Sequence, residues 1–78
     1  MSDPVRLSPG EATTAEIIER LEAGDRVIVE TELLGSVHEI TLRFDGDVYY
    51  CDTPTTLHRH ESAEDMRRCL DDQRYGSA

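Results

Sequence analysis

Seventy-eight residues carry 17 acids against 8 bases, for a formal net charge of −9, which bounds the chain to one small domain and disfavours any role that needs a bulk positive potential, such as coating nucleic acid. A chain this short buries roughly 60% of the surface its unfolded form exposes, so its core is thin, and a partner, a metal or a second copy commonly supplements it. No apolar run approaches the roughly 20 residues of a membrane-spanning helix, and MSDPVRLSPGE lacks the basic start and apolar stretch of a signal peptide, so the protein is expected to be cytoplasmic, with reduced cysteines.

Every one of the 8 bases is an arginine, and the chain holds neither lysine nor asparagine. The acids are spread along the whole length: Glu16, Glu19 and Glu22, then Glu30 and Glu32, Asp45 and Asp47, and Asp71 and Asp72. An even spread fits a surface kept hydrated in concentrated salt, where the Debye length falls to about 3 Å at 1 M. The competing account is a docking face for a basic partner.

Residues 1–12 are polar and carry Ser, Pro and Gly; a loosely ordered lead-in is expected, with Val5 and Leu7 tucked against the core. At TTAEIIERLEAGD a helix begins. Thr13 and Glu16 have capping-box spacing, Ile17, Ile18 and Leu21 form one apolar stripe, and Gly24 supplies the stop. DRVIVETEL then alternates as a strand, with Val27, Val29, Thr31 and Leu33 on one face and Ile28, Glu30 and Glu32 on the other. Leu34-Gly35-Ser36 reads as a turn. VHEITLRF is the clearest strand, with His38, Ile40, Leu42 and Phe44 expected inward.

Asp45-Gly46 signals a hairpin back into VYYCD. A two-residue loop would set Leu42 opposite Tyr49 and Ile40 opposite Cys51; a three-residue loop would turn Val48 and Tyr50 inward. Thr53, before Pro54, must be extended, and TLHRH is read as a short fourth strand or an extended arm. Ser62 and Asp65 have the spacing of a second capping box, opening a helix over roughly 63–75 with Met66, Cys69, Leu70 and Gln73 on its inner face. Gly76 is read as its end.

The stretch YYCDTPTTLHRHESAEDMRRCL, together with the lysine-free, acid-rich composition, resembles small uncharacterised domains of salt-loving archaea. That resemblance covers about the last third of the chain and implies no activity and no site residues to carry over.

Four side chains raise a metal question. Thiolate and imidazole are ligands zinc favours, and Cys51, His58, His60 and Cys69 would fill a tetrahedral site. In an extended chain His58 and His60 point the same way. The intervals are less apt, because structural sites usually carry a close ligand pair at each end and only His-x-His is local here. Cys69 also falls on the apolar stripe beside Met66 and Leu70, and buried free cysteine commonly acts as a small hydrophobe. His38 is read as a strand-end histidine rather than a proton switch.

Catalysis is not expected: Cys51 or Cys69 with His58 or His60 and Asp52 supplies the residue types of a nucleophilic site, but no nucleophile elbow, phosphate loop or HExxH helix accompanies them. Arg67, Arg68 and Arg74 sit among acids, so nucleic-acid binding is not expected either.

The sequence therefore predicts an α+β domain over residues 13–76 with a tail at 77–78. Its architecture is an antiparallel three- to four-stranded meander flanked by an N-terminal and a C-terminal helix (α-β-β-β-α), in two layers. It is expected to be a salt-adapted, non-enzymatic module without a cofactor that binds a protein partner or itself, through His58, Arg59, His60 and Tyr50. The alternative is a zinc-binding regulatory module using Cys51, His58, His60 and Cys69.

Overall fold

The computed structural model describes residues 3–76; the tail at 77–78 lies outside the described residues. The elements run β1 (Val5–Leu7), α1 (Thr14–Glu22), β2 (Val27–Leu33), β3 (Ser36–Phe44), β4 (Tyr49–Asp52), β5 (Leu57–His60) and α2 (Ala63–Asp72). The strands form one sheet in the order β1-β2-β3-β4-β5. Both helices pack on one of its faces.

Local chemistry sets both helices. The Thr13 hydroxyl accepts from the Glu16 amide at 3.1 Å while the Glu16 carboxylate accepts from the Thr13 amide at 3.3 Å, a complete capping box. At the other end Gly24 takes a φ of 94°. Its amide donates to the Leu21 carbonyl at 3.0 Å and that of Asp25 to the Arg20 carbonyl at 2.9 Å, the paired bonds of a left-handed helix stop. α2 starts from Ser62, whose hydroxyl accepts from the Asp65 amide at 3.1 Å. It stops at Asp72, short of the expected 75, by the same paired device: Arg74 donates to Asp71 at 3.1 Å and Tyr75 to Leu70 at 3.0 Å. Here the left-handed position is Arg74, at a φ of 59°, and not Gly76.

The core lies between the helices and one face of the sheet. Ile17, Ile18 and Leu21 of α1 and Met66 and Leu70 of α2 meet Val27, Val29, Ile40, Leu42, Tyr49 and Cys51, all buried, with Tyr75 closing the end. Removing such side chains from water is worth roughly 25 cal/mol per Å² of apolar area, so this single layer supplies most of what holds the domain together.

The expected all-antiparallel meander needs correction: the sheet has five strands and is mixed. β1 falls inside the stretch read as a lead-in. It pairs parallel with β2, Val5 beside Val27 and Leu7 beside Val29, and α1 makes the crossover that a parallel connection requires. Three residues are too few for an alternating pattern to stand out, which is why the sequence hides this strand. β5 realises the fourth strand read in TLHRH, antiparallel to β4.

The hairpin register also differs from both readings. Phe44 pairs with Tyr49 and Leu42 with Cys51, so the loop is the four residues from Asp45 to Val48. The Asp45 carboxylate accepts from the amides of Asp47 and Val48, each at 2.8 Å, and the Asp45 amide donates to the Val48 carbonyl at 3.2 Å. This side-chain clamp favours the wider turn over a tight Asp-Gly pair. The result turns Tyr49 and Cys51 inward and Tyr50 outward.

Candidate functional site

The pairing register sorts every strand side chain onto one of two faces. On the helix side, His58 pairs with Cys51 and His60 with Tyr49. The two imidazoles run parallel, with ring centroids 6.4 Å apart and planes within 7°. His60, Asp65, Arg68, Cys69, Asp72 and Gln73 line a groove of about 290 Å³ between β5 and α2. Cys51, His58, His60 and Cys69 thus gather at one corner of the fold.

The corner has three chemical features. Burial pushes the Cys51 thiol up to about 12, with the neighbouring Cys69 adding to the effect. Burial also raises Cys69, although a hydrogen bond from Cys51 opposes the rise. His60 Nε2 is buried without a hydrogen-bond partner. Both cysteines are free thiols, Cys51 buried and Cys69 partly exposed. Among the described residues no three His, Cys, Asp or Glu side chains converge in an arrangement that would hold a metal ion.

Among the described residues, no helix lies on the opposite face. Its rows follow from the register. Arg43, Tyr50 and Arg59 lie side by side on β3, β4 and β5. The next row is Arg6, Ile28, Thr41, Asp52 and Leu57, from β1 to β5. Glu30 and Glu39 follow, then Glu32 and Val37. Apolar surface is left open in the middle and beyond: Leu57 is 44% exposed and Val37 65%.

Two contacts organise this face. The Arg43 guanidinium carbon stands 4.0 Å from the centroid of the Tyr50 ring, a cation–π stack, and the Tyr50 hydroxyl donates to Asp45 Oδ2 at 3.0 Å. These hold the tyrosine between Arg43 and Arg59. At the other end Arg6 Nη1 donates to Glu30 at 2.7 Å and to Glu39 at 2.5 Å. Its bonds to Glu39 and then Glu30 raise the guanidinium pKa further above its ordinary range. The basic end (Arg43 and Arg59, with Asp45 against Tyr50) is formally +1. The acidic end (Glu30, Glu32 and Glu39 against Arg6) is formally −2.

The four residues expected to form one interaction surface are therefore divided by the sheet. Tyr50 and Arg59 are neighbours on the open face, whereas His58 and His60 belong to the helix side. Arg43, Arg6 and Ile28 complete the open face and were not singled out in the sequence. The only signal for Arg43 was its alternation with Leu42 and Phe44, and its partner could be found only once the loop length was known.

No curated protein and no solved structure matches the chain. The whole of it, residues 1–78, matches a family described as Family of unknown function (DUF8001), with no assigned activity, and the chain belongs to that family.

Proposed function

We propose that this protein is a salt-adapted, non-enzymatic interaction module that acts in the cytoplasm by docking a protein on the open face of its sheet. The observation that carries the reading is the Arg43–Tyr50–Arg59 row beside half-buried Ile28 and exposed Leu57. Tyrosine and arginine are the residue types enriched in protein interfaces and in their energetic centres. A face left bare on one side of a thin two-layer domain is where a partner would add the burial the core lacks. The net charge of −9 argues against nucleic acid as the occupant of the same row.

The test is a photo-crosslinking amino acid placed at Tyr50 in cells, with a control at Arg67 on the exposed side of α2. Protein adducts from Tyr50 and none from Arg67 support the reading. Equal labelling, or no adduct from Tyr50, ends it.

The second reading is a zinc-binding module using Cys51, His58, His60 and Cys69. One observation favours it: His60 Nε2 is buried and unpartnered in the groove that Cys69 also lines, and a buried polar atom without a partner calls for an explanation. Against it stand the raised Cys51 thiol, which resists the deprotonation that zinc ligation needs, and the lack of three converging donors among the described residues. Native mass spectrometry after purification with zinc decides: a chelator-sensitive excess of one zinc supports this reading, and a bare apo mass removes it.

A further inference from the structure

We infer that Cys51 and Cys69 form an oxidation site, at which hydrogen peroxide joins the two thiols into a reversible disulfide that ties β4 to α2. The inference stands apart from the docking and zinc readings, because it needs neither a partner protein nor a metal.

The fold brings the two sulfurs together from separate elements. Cys51 pairs with Leu42 on one side and His58 on the other, in the row that faces the helices, and it is fully buried. Cys69 stands on α2 between buried Met66 and buried Leu70, and it packs against the same core. The two thiols share a hydrogen bond. α2 passes over β4 with Cα atoms of the two elements within 8 Å, close to the separation of roughly 4.4–6.8 Å that a disulfide spans. Both are free thiols, so the pair stands one oxidation away from a bond.

Unequal access sets the order of events. Cys69 is partly exposed and lines the groove between β5 and α2 with His60 and Arg68, so a small oxidant reaches it without opening the core. The Cys69 sulfur attacks one peroxide oxygen. The O–O bond breaks, that oxygen stays on sulfur as a sulfenic acid, and the other leaves as water with the thiol proton. A sulfenic acid condenses with a neighbouring thiol, and the thiol at hand is Cys51. Its sulfur attacks that of Cys69, the S–O bond breaks as the S–S bond forms, and a second water leaves with the Cys51 proton. The two thiols have lost two electrons and the peroxide has gained them. Intracellular disulfides are usually transient ones of this redox-sensing kind, and exchange with a thiol reductant restores both cysteines. While it lasts, the bond closes the chain from Cys51 through β5 to Cys69 into a loop, which restricts the unfolded state.

The experiment uses the full, reduced chain at low micromolar concentration with a chelator present. Hydrogen peroxide is added to the folded protein, the reaction is quenched, and the chain is unfolded, alkylated and weighed. The expected product is a monomer lighter by two hydrogens that takes up no alkyl group until it is reduced. Trypsin is then expected to release peptide 44–59 linked to peptide 69–74. Cys69 carried on to the sulfinic acid, with Cys51 still alkylated, overturns the inference. So does a dimer joined through Cys69 of each chain, and so do two thiols left intact by a dose that oxidises free cysteine. Cys51→Ala, checked for folding by circular dichroism, is expected to accumulate sulfinic acid at Cys69 where the wild type does not. Equal accumulation in the two proteins would show that Cys51 does not intercept the sulfenic acid, and would end the inference.

Discussion

At the residue scale, backbone angles point to the changes with clearest sign. Arg74 and Leu34 hold positive φ of 59° and 53° without being glycine, and a side chain with a Cβ pays about 1–2 kcal/mol there. Arg74→Gly should stabilise the domain by about 0.5–1 kcal/mol, since glycine is the usual residue at this helix stop. Leu34→Asn should act in the same direction, because Leu34-Gly35 is a two-residue hairpin turn with both φ positive and Leu34 is 97% exposed. Chemical denaturation of each variant checks both, and a lowered midpoint would contradict the strain argument.

Asp45 carries the clearest pH dependence. The backbone amides of Val48 and then Asp47 hold its carboxyl below the usual range. A carboxyl depressed in the folded state adds stability that is present above its unfolded pKa and lost as pH falls through the folded one. Asp45→Asn, which keeps an acceptor but removes the charge, should therefore lower stability at neutral pH and match wild type in strong acid. A difference that stays constant across that range would show that the clamp does not depend on ionisation.

Thiol chemistry separates the cysteines: Cys69, half-buried, should react with an alkylating reagent in the folded protein, whereas Cys51, at 0% exposure and raised to about 12, should react only on unfolding. Peptide mapping of a partly alkylated sample reads the order.

At the element scale, what the sequence made legible was local. The Thr13–Glu16 box, the Gly24 stop and the Met66–Leu70 stripe need only neighbours three to five residues away, and each stands where its pattern puts it. The hairpin could not be read because a side chain, Asp45, and not the backbone preference of Asp-Gly, sets its loop. β1 could not be read because its pairing partner is β2, a strand some twenty residues later. The candidate face inherited that uncertainty: Tyr50 and Arg59 were visible as residues, but their being neighbours, and their separation from His58 and His60, depend on the loop length.

Gly76 illustrates a role that pattern reading misassigned. It does not stop α2; it lies where a Cβ would come within 2.5 Å of the Thr14 hydroxyl and 2.8 Å of the Thr14 backbone. Gly76→Ala should destabilise by about 1–3 kcal/mol, the usual cost of overpacking, read as a lower thermal or denaturant midpoint. An unchanged midpoint would mean that the segment is not seated against α1.

At the scale of the whole molecule, charge dominates. With 17 acids to 8 bases, and with Arg6, Arg20 and Arg68 forming surface ion pairs among the described residues, the folded domain confines more negative charge than it neutralises. Such exposed pairs contribute little each. Raising potassium chloride toward about 1 M, where screening acts within about 3 Å, should therefore raise the unfolding midpoint. A midpoint that falls with salt would remove the case for salt adaptation. The α+β class and the two-layer arrangement were legible at this scale because they follow from the order of periodic segments alone.

The fastening of the last described residues onto the first has a temporal consequence. Tyr75 accepts at its carbonyl from the Gly10 amide at 3.1 Å, and Thr14 donates to Asp71 at 2.6 Å. During synthesis the early segment β1–α1–β2 thus emerges with its apolar side bare and its seam unmade until α2 and Tyr75 have left the ribosome. The core layer is complete only once α2 is in place, so a nascent chain halted before Met66 presents an unfinished layer rather than a smaller folded one.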